Sequence, residues 1–374
     1  MSSLPTSPIG VKIRVPLAPA VTGLGLGPMP VIPWWRHTRV LCVNCAVDGR
    51  GSRPWGATDK AKKMNVKAPT EMLASKGHTL PARPTDTDGL RPHFDDVQAH
   101  YDLSDNFFQL FLDPTQTYSC AYFERDEMTL EEAQKAKIDL SLGKLDLQPG
   151  MMLLDVGCGW GATMMRAIEK YDVNVVGLTL SRNQQTYVQR LFDKSDSPRS
   201  KRVLLRGWEQ FSEPVDRIVS IGAFEHFGLD RYDDFFKMAY AALPVDGKML
   251  LHTIVKPSGE QMEERKLTLT MRLLRFIKFI MDEIFPGGQL PYVAQVEEHA
   301  TKAGFEISRI QPLRLHYART LEIWGAALEA RKDEAIAIQS EEVYERYMRY
   351  LTGCADLFRQ GYTDICQFTL EKKK

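Results

Sequence analysis

Downstream of Met152, short apolar runs alternate with longer segments whose apolar positions recur at helical spacing. MLLDVG, NVVGLTL, RVLLRG, VDRIVSIGAF and GKMLLHTIV read as buried strands. Between them GATMMRAIEKY, SRNQQTYVQRLFDK and YDDFFKMAYAAL read as helices. Strand–helix repeats of this kind build a parallel sheet covered on both faces. Upstream, residues 94–112 carry aromatic and apolar side chains at helical spacing. Thr129-Leu-Glu-Glu opens a helix with a capping-box pattern, and Pro149-Gly150 breaks it. Residues 264–285 read as one long amphipathic helix inserted into the alternation. From about residue 293 a helix, a strand and further helices follow.

Residues 1–88 follow no such period. They hold about half of the 21 prolines and many glycines, and runs such as Gly23-Leu-Gly-Leu-Gly-Pro cannot bury a coherent face. They are expected to be disordered, a dispensable extension or a docking arm, with Met64 and Met72 as internal start candidates. Residues 89–374 form the folded domain. The formal net charge of zero argues against nucleic acid as the main partner. Cys42 and Cys45 form a CxxC with no second Cys/His pair at zinc-finger spacing, so no metal is expected. Cys120, Cys158, Cys354 and Cys366 read as reduced thiols of a cytoplasmic protein, in a chain lacking both a secretory signal pattern and a membrane-length apolar run.

Leu153-Leu-Asp-Val-Gly-Cys-Gly-Trp-Gly161 is the most informative stretch. A buried strand runs into a glycine-rich turn that opens a helix, so Gly157 and Gly159 let the backbone approach a ligand closely. Such turns also serve dinucleotides. Two features favour S-adenosylmethionine: the spacing is GxGxG, and Asp155 stands where a carboxylate meets a cationic ligand and repels a pyrophosphate. The acid that usually contacts a ribose at the end of the second strand is missing. Thr179 and Gln184 can take over its hydrogen bonds, or merely cap the next helix. Trp208 and Glu209 offer an aromatic face and an acceptor suited to adenine.

Tyr118-Ser-Cys-Ala-Tyr-Phe-Glu124, LLDVGCGWG, GLTLSRNQ, GWEQF, IVSIGAFEHFG, LLHTI, EIFPGG, LHYART and YLTGC together resemble the mycolic acid cyclopropane synthases, within the wider cyclopropane-fatty-acid synthase family, over residues 91–371. The resemblance implies a Rossmann-like, seven-stranded, mostly parallel sheet of the class I methyltransferase type, with helical additions forming a lipid pocket. It implies that the π-bond of a cis alkene in a long acyl chain attacks the methyl of S-adenosylmethionine. Loss of a proton from the transferred carbon then closes the ring. In the family a bound bicarbonate is the base. Its binders here would be Cys120 (through its backbone), Glu225, His252 and Tyr317, with the rings of Tyr122 and Tyr317 stabilising the cation. For the cofactor the resemblance implicates Tyr118, Ser119, Gly157, Gly159, Thr179, Gln184, Trp208 and Glu209. A hydroxyl-forming branch of the family carries an acid where this chain has Gly222, which points to ring formation. Read alone, Glu225 is also a helix cap and His252 a core histidine; His226 reads as structural and Cys354 as helix packing.

So apolar a substrate is expected on an acyl carrier protein or at a membrane surface. Arg272, Arg275 and Lys278 interrupt the apolar face of the 264–285 segment and can meet a phosphate, or be only a solvated edge. Two rival functions are a methyltransferase for a small molecule or another lipid position, and a lipid carrier without chemistry.

Overall fold

Seven strands form one sheet: β1 (Met152–Val156), β2 (Asn174–Thr179), β3 (Lys201–Leu205), β4 (Arg217–Ile221), β5 (Lys248–Val255), β6 (Phe305–Pro312) and β7 (Asp364–Lys372). Their order is β3-β2-β1-β4-β5-β7-β6, with the first five parallel and β7 antiparallel to both neighbours. The computed structural model describes residues 105–373. The extension expected to be disordered, Cys42, Cys45 and residues 94–104 lie outside them.

The continuous apolar runs are explained by burial on both sheet faces: Leu153, Leu154, Val175, Val176, Ile218 and Val219 are all fully buried. β7 was not individually legible, because DICQFTLEK mixes polar and apolar residues. Yet Gln367 and Thr369 within it are as buried as Phe368 and Leu370. The Gln367 side chain is satisfied by Ser141, Lys144 and His252, whereas Thr369 Oγ1 is buried without a partner.

Thr129 caps the helix Leu130–Leu142, accepting from the Glu132 N–H while the Glu132 side chain bonds back to the Thr129 backbone. This helix (α2, after a one-turn α1 at Asp105–Phe108) ends at Gly143, a turn earlier than Pro149-Gly150 suggests. Its buried face is Ala133, Gln134, Lys137, Ile138, Ser141 and Leu142, an i, i+4 stripe that includes polar members. Residues 109–112 do not continue α1 as a helix.

α3 (Ala162–Tyr171), α4 (Arg182–Asp193) and α5 (Tyr232–Ala242) occupy their expected places between strands. The fourth strand stops at Ile221, before Gly222 turns the chain at φ 69°. The single helix expected over 264–285 is broken. α6 (Gly259–Glu264) stops, Lys266 adopts φ 54°, and Thr270 caps a new helix, α7 (Met271–Phe279), which closes in a π-turn at Ile280–Ile284. Only the part after the break reaches the core: α7 buries Leu273 and Phe279 and the π-turn Ile284, whereas α6 buries no residue. α8 (Val293–Ala303), β6, α9 (Arg314–Ala330), α10 (Lys332–Ile338) and α11 (Glu341–Gln360) complete the expected C-terminal helices and strand, with β7 added. Among the described residues no helix is long and apolar enough to cross a membrane, and no group of side chains has the make-up of a metal site.

Candidate active site

At the carboxyl ends of β1, β2 and β4, where the strand order reverses, the chain leaves a cleft of about 1050 Å³, its open mouth included. All eight residues expected to bind the cofactor line it: Tyr118, Ser119, Gly157, Gly159, Thr179, Gln184, Trp208 and Glu209. Gly157 has φ 80°, and a Cβ there would sit 2.4 Å from the Ala223 Cβ. Its N–H and that of Cys158 donate to the Leu178 carbonyl at 3.0 and 2.9 Å, which ties the turn to the end of β2. No side chain can replace glycine there without moving β1 away from the turn after β4.

Ser181 is the cap of α4, accepting from the Gln184 N–H at 3.3 Å. Thr179 Oγ1 donates to Gln184 Oε1 at 2.8 Å and accepts from the Ser181 N–H at 3.1 Å, so the pair forms a buried polar wall of the cleft. Trp208 is buried against Phe227 and Phe235. Arg231 bonds one Glu209 oxygen at 3.1 Å; burial nonetheless raises that carboxyl, with the Glu209 backbone and Arg231 pulling it down.

Asp155 is 2 % exposed and its Oδ2 has no partner in the protein. Burial pushes its carboxyl up to about 7, against the pull of Lys137. Lys137 is the residue the sequence reading missed. It lies on the buried stripe of α2, donates to Ser119 Oγ at 2.8 Å, and is brought down to about 8 by burial, which Cys120, Asp113 and Asp155 oppose. A lysine inside an apolar helical stripe was the available signal. Gln134 also escaped notice; its amide holds the Thr117 and Ser119 carbonyls at 3.2 and 2.8 Å. Gln116 likewise lines the cleft, with both polar side-chain atoms buried and unpartnered.

The four residues expected around a base are not lining residues of this cleft. They belong to buried structure beside it. Glu225, in the turn after β4, accepts from the Ile254 N–H at 2.6 Å through Oε1, while Oε2 is buried without a partner. Burial raises its carboxyl, opposed mainly by that backbone N–H. His252, in the middle of β5, is fully buried; burial first, then Lys137 and Lys144, holds its imidazole well below the usual range, hence neutral. Its Nε2 is also buried and unpartnered. Tyr317, on α9, packs against Phe358 and Trp324. Burial raises its phenol, and Tyr350, Cys120, Glu225 and Cys354 add to the rise, so these groups share one low-dielectric environment. The Cys120 thiol is itself raised by burial and points its sulfur to the Ala121 carbonyl at 3.1 Å, an inert thiol on a useful backbone.

Tyr118 joins the two regions: it lines the cleft, bonds the Tyr350 hydroxyl at 3.3 Å, and packs on Phe108 and Trp324. Around it Phe107, Phe108, Phe111, Trp160, Tyr347 and Tyr350 form an apolar, aromatic mass that excludes water. Cys354 lies at the edge of this mass, half-buried. The Tyr122 ring packs tilted against His316 with centroids 4.8 Å apart, and His226 lines the cleft.

The chain is matched over residues 89–368 by the family described as mycolic acid cyclopropane synthetase. It is 71 % identical over 283 residues to cyclopropane mycolic acid synthase 3 of Mycobacterium tuberculosis, covering 76 % of this chain and 99 % of that one. Among solved structures, the cyclopropane synthase MmaA2 of M. tuberculosis superposes with a TM-score of 0.75 at 69 % identity, covering 76 % of this chain and 99 % of its own. Mycolic acid cyclopropane synthase CmaA1, complexed with S-adenosylhomocysteine (SAH) and CTAB, does so with 0.74 at 68 %, over the same shares. Coclaurine N-methyltransferase, at 21 % identity and a TM-score of 0.58, shares the fold alone. With this site on this sheet, the chain belongs to the mycolic acid cyclopropane synthase family of S-adenosylmethionine-dependent methyltransferases.

Proposed function

We propose that this enzyme converts a cis double bond in a long, mycolic-type acyl chain into a cyclopropane, with a bicarbonate ion as the base. The observation that carries the reading is the pair of orphaned polar atoms, Glu225 Oε2 and His252 Nε2, buried within reach of an aromatic mass. Buried polar groups are almost always bonded, so two left open beside one another's elements suit a small ion that both accepts and donates.

The residues fit both groups. Trp208 and Glu209 would hold the adenine, Thr179 and Gln184 the ribose, and Asp155 with Tyr118 and Ser119 the amino-acid end. Cys120 through its backbone, Glu225, His252 and Tyr317 would hold bicarbonate. When bound, S-adenosylmethionine supplies an electrophilic methyl group and bicarbonate a proton acceptor. The chain's own part is positioning and dryness. Glu225, anchored by the Ile254 N–H, fixes the ion's orientation. Neutral His252 and Tyr317 donate to it without adding positive charge. The rings of Tyr118, Tyr122 and Tyr317 face developing cationic charge with their π-systems and keep water from trapping it as an alcohol. Gly222 supports ring formation over hydroxylation: a carboxylate there would hold water near the cation, whereas the glycine places only backbone opposite the Ser119 Cβ.

The acyl chain would arrive on an acyl carrier protein or from a membrane surface. α7 supports this, since Arg272, Arg275 and Lys278 are exposed on it beside Met271, itself 66 % exposed, while Leu273 and Phe279 are buried. Such a face suits a phosphate flanked by apolar chain.

The test is mass spectrometry of lipids from cells lacking cyclopropanated chains, with and without this chain expressed. A gain of one CH₂ with loss of the alkene is the expected result. A gain of CH₂ plus water would place the enzyme in the hydroxyl-forming branch. No change with cofactor binding intact would favour a small-molecule methyltransferase. Failure to bind SAH would leave a lipid carrier.

A further inference from the structure

β5 and β7 pair so that His252 lies directly opposite Gln367, and β7 and β6 pair so that Gln367 lies opposite Gln311. Cross-strand partners of this kind share a face of the sheet. α2 and the turn after it bring Ser141 and Lys144 to the same polar cluster. Gln367 Nε2 is 3.0 Å from Ser141 Oγ and 3.2 Å from His252 Nδ1. Gln367 Oε1 accepts from Lys144 Nζ, which also reaches Gln311 Oε1 at 2.7 Å. Ser141 Oγ donates its one hydrogen to the Lys137 carbonyl at 2.8 Å.

These bonds leave Gln367 a single orientation. Lys144 has only hydrogens to offer, so the glutamine oxygen must face it. Ser141 has no hydrogen left, so the glutamine NH₂ must face Ser141. The second hydrogen of that NH₂ then meets His252 Nδ1, which must accept it. A neutral imidazole that accepts at Nδ1 carries its proton on Nε2.

We infer that Gln367, held by Ser141 and Lys144, is a positioning residue that locks His252 in the Nε2–H form, leaving a buried N–H donor at the atom that has no partner in the protein. The role rests on the placing of His252 at the anion site. It explains how a fully buried histidine presents a donor without being charged, since an imidazolium would set an N–H against the glutamine NH₂.

The test uses the full chain, ¹⁵N-labelled on histidine, with SAH bound, and reads the His252 tautomer from long-range proton–nitrogen correlations; His252→Phe assigns the signals. Wild type is expected to show Nε2–H. Gln367→Glu presents only acceptors, so it should move a proton onto Nδ1, cut cyclopropane formation in expressing cells about a hundred-fold, and leave SAH affinity within two-fold, with effects in the range of a lost general acid–base partner. Gln367→Leu, which neither accepts nor donates, should fall between the two and distinguishes lost packing from a reversed tautomer. An Nδ1–H signal in wild type overturns the lock. So does a Gln367→Glu protein that switches tautomer and keeps full product yield. Undiminished product from His252→Phe would instead sink the placing of His252 at the site, whatever its tautomer.

Discussion

The cleft and the buried group of Glu225, His252, Tyr317 and Cys120 beside it are built in opposite ways. The cleft is made of turns. Its glycines, its Thr179–Gln184 pair and its Trp208–Glu209 edge each lie within a few residues of a strand end. The residues expected around the base, Cys120, Glu225, His252 and Tyr317, come from four separate segments, and all of them are buried. A site open to water tolerates unpaired groups; one sealed from water must bond every polar atom or hold it for a ligand. The polar cluster behind His252 is complete, while Glu225 Oε2 and His252 Nε2 have no partner in the protein. The difference teaches that affinity and chemistry are separable here, and it can be broken by substitution.

The largest effect is expected at Glu225. Glu225→Gln keeps an oxygen for the Ile254 N–H but loses the carboxylate. Product formation should fall roughly 10²- to 10⁴-fold, the usual worth of a positioned acid–base group. SAH affinity, measured by calorimetry, should stay within two-fold. Loss of cofactor binding in this variant would show that the two regions are one unit.

Gly157→Ala is the converse. Its methyl would meet the Ala223 Cβ at 2.4 Å on a backbone with φ 80°. A strained residue of this kind costs about 1–3 kcal/mol, so SAH should bind roughly ten- to a hundred-fold more weakly. Single-turnover rate at saturating cofactor should change far less. A rate loss equal to Glu225→Gln at full cofactor occupancy would erase the distinction.

How much of this was legible beforehand follows the same division. The cleft could be read because a GxGxG turn after an apolar strand is a local pattern with a local cause. The buried group could not be assembled from period or spacing; read alone, Glu225 was better explained as a cap and His252 as a core histidine, and only the family resemblance gathered them. Lys137 and Gln367 were not found at all. Lys137 and Gln134 are concealed in a helix whose other buried positions are apolar or small, and Gln367 in a strand that breaks the apolar rule because its neighbours satisfy it. The break of the 264–285 helix was hidden for a related reason: Lys266 and Thr270 carry no strong breaker signal, and the left-handed turn at Lys266 is set by the surrounding fold.

A smaller, pH-dependent effect is expected from Asp155. Its carboxyl is raised by burial to about 7, above the unfolded value near ~4. A raised acid binds more protons folded than unfolded, so its contribution to stability is present at low pH and is lost as pH rises through about 7. A cationic ligand that pairs with the ionised carboxylate restores what is lost. Stabilisation by S-adenosylmethionine, read as a melting-temperature shift, should therefore grow between pH 6 and pH 8 (roughly one unit either side of that midpoint). Lys137, lowered to about 8, titrates at the upper edge of this range and is common to both proteins. Asp155→Asn should flatten the growth. An unchanged pH profile in the variant would show that Asp155 does not meet the ligand's charge.

The smallest effect tests whether the Thr179–Gln184 pair serves the ligand or only the turn. Thr179→Val keeps the shape and removes the hydroxyl, leaving Gln184 Oε1 without its donor and the Ser181 N–H without its acceptor. One buried hydrogen bond is worth about 1 kcal/mol, so loss of these two lowers the melting temperature in either case, and a ligand role predicts in addition SAH binding roughly five-fold weaker. A turn-only role predicts the lowered melting temperature with unchanged affinity. Ser181, the cap of α4, supplies the reference: Ser181→Ala should lower stability by about 1 kcal/mol and leave affinity alone. If the two variants behave alike, the ribose end of the cleft is held by the fold of the turn, and Gln184 rather than Thr179 is the side chain that meets the ligand.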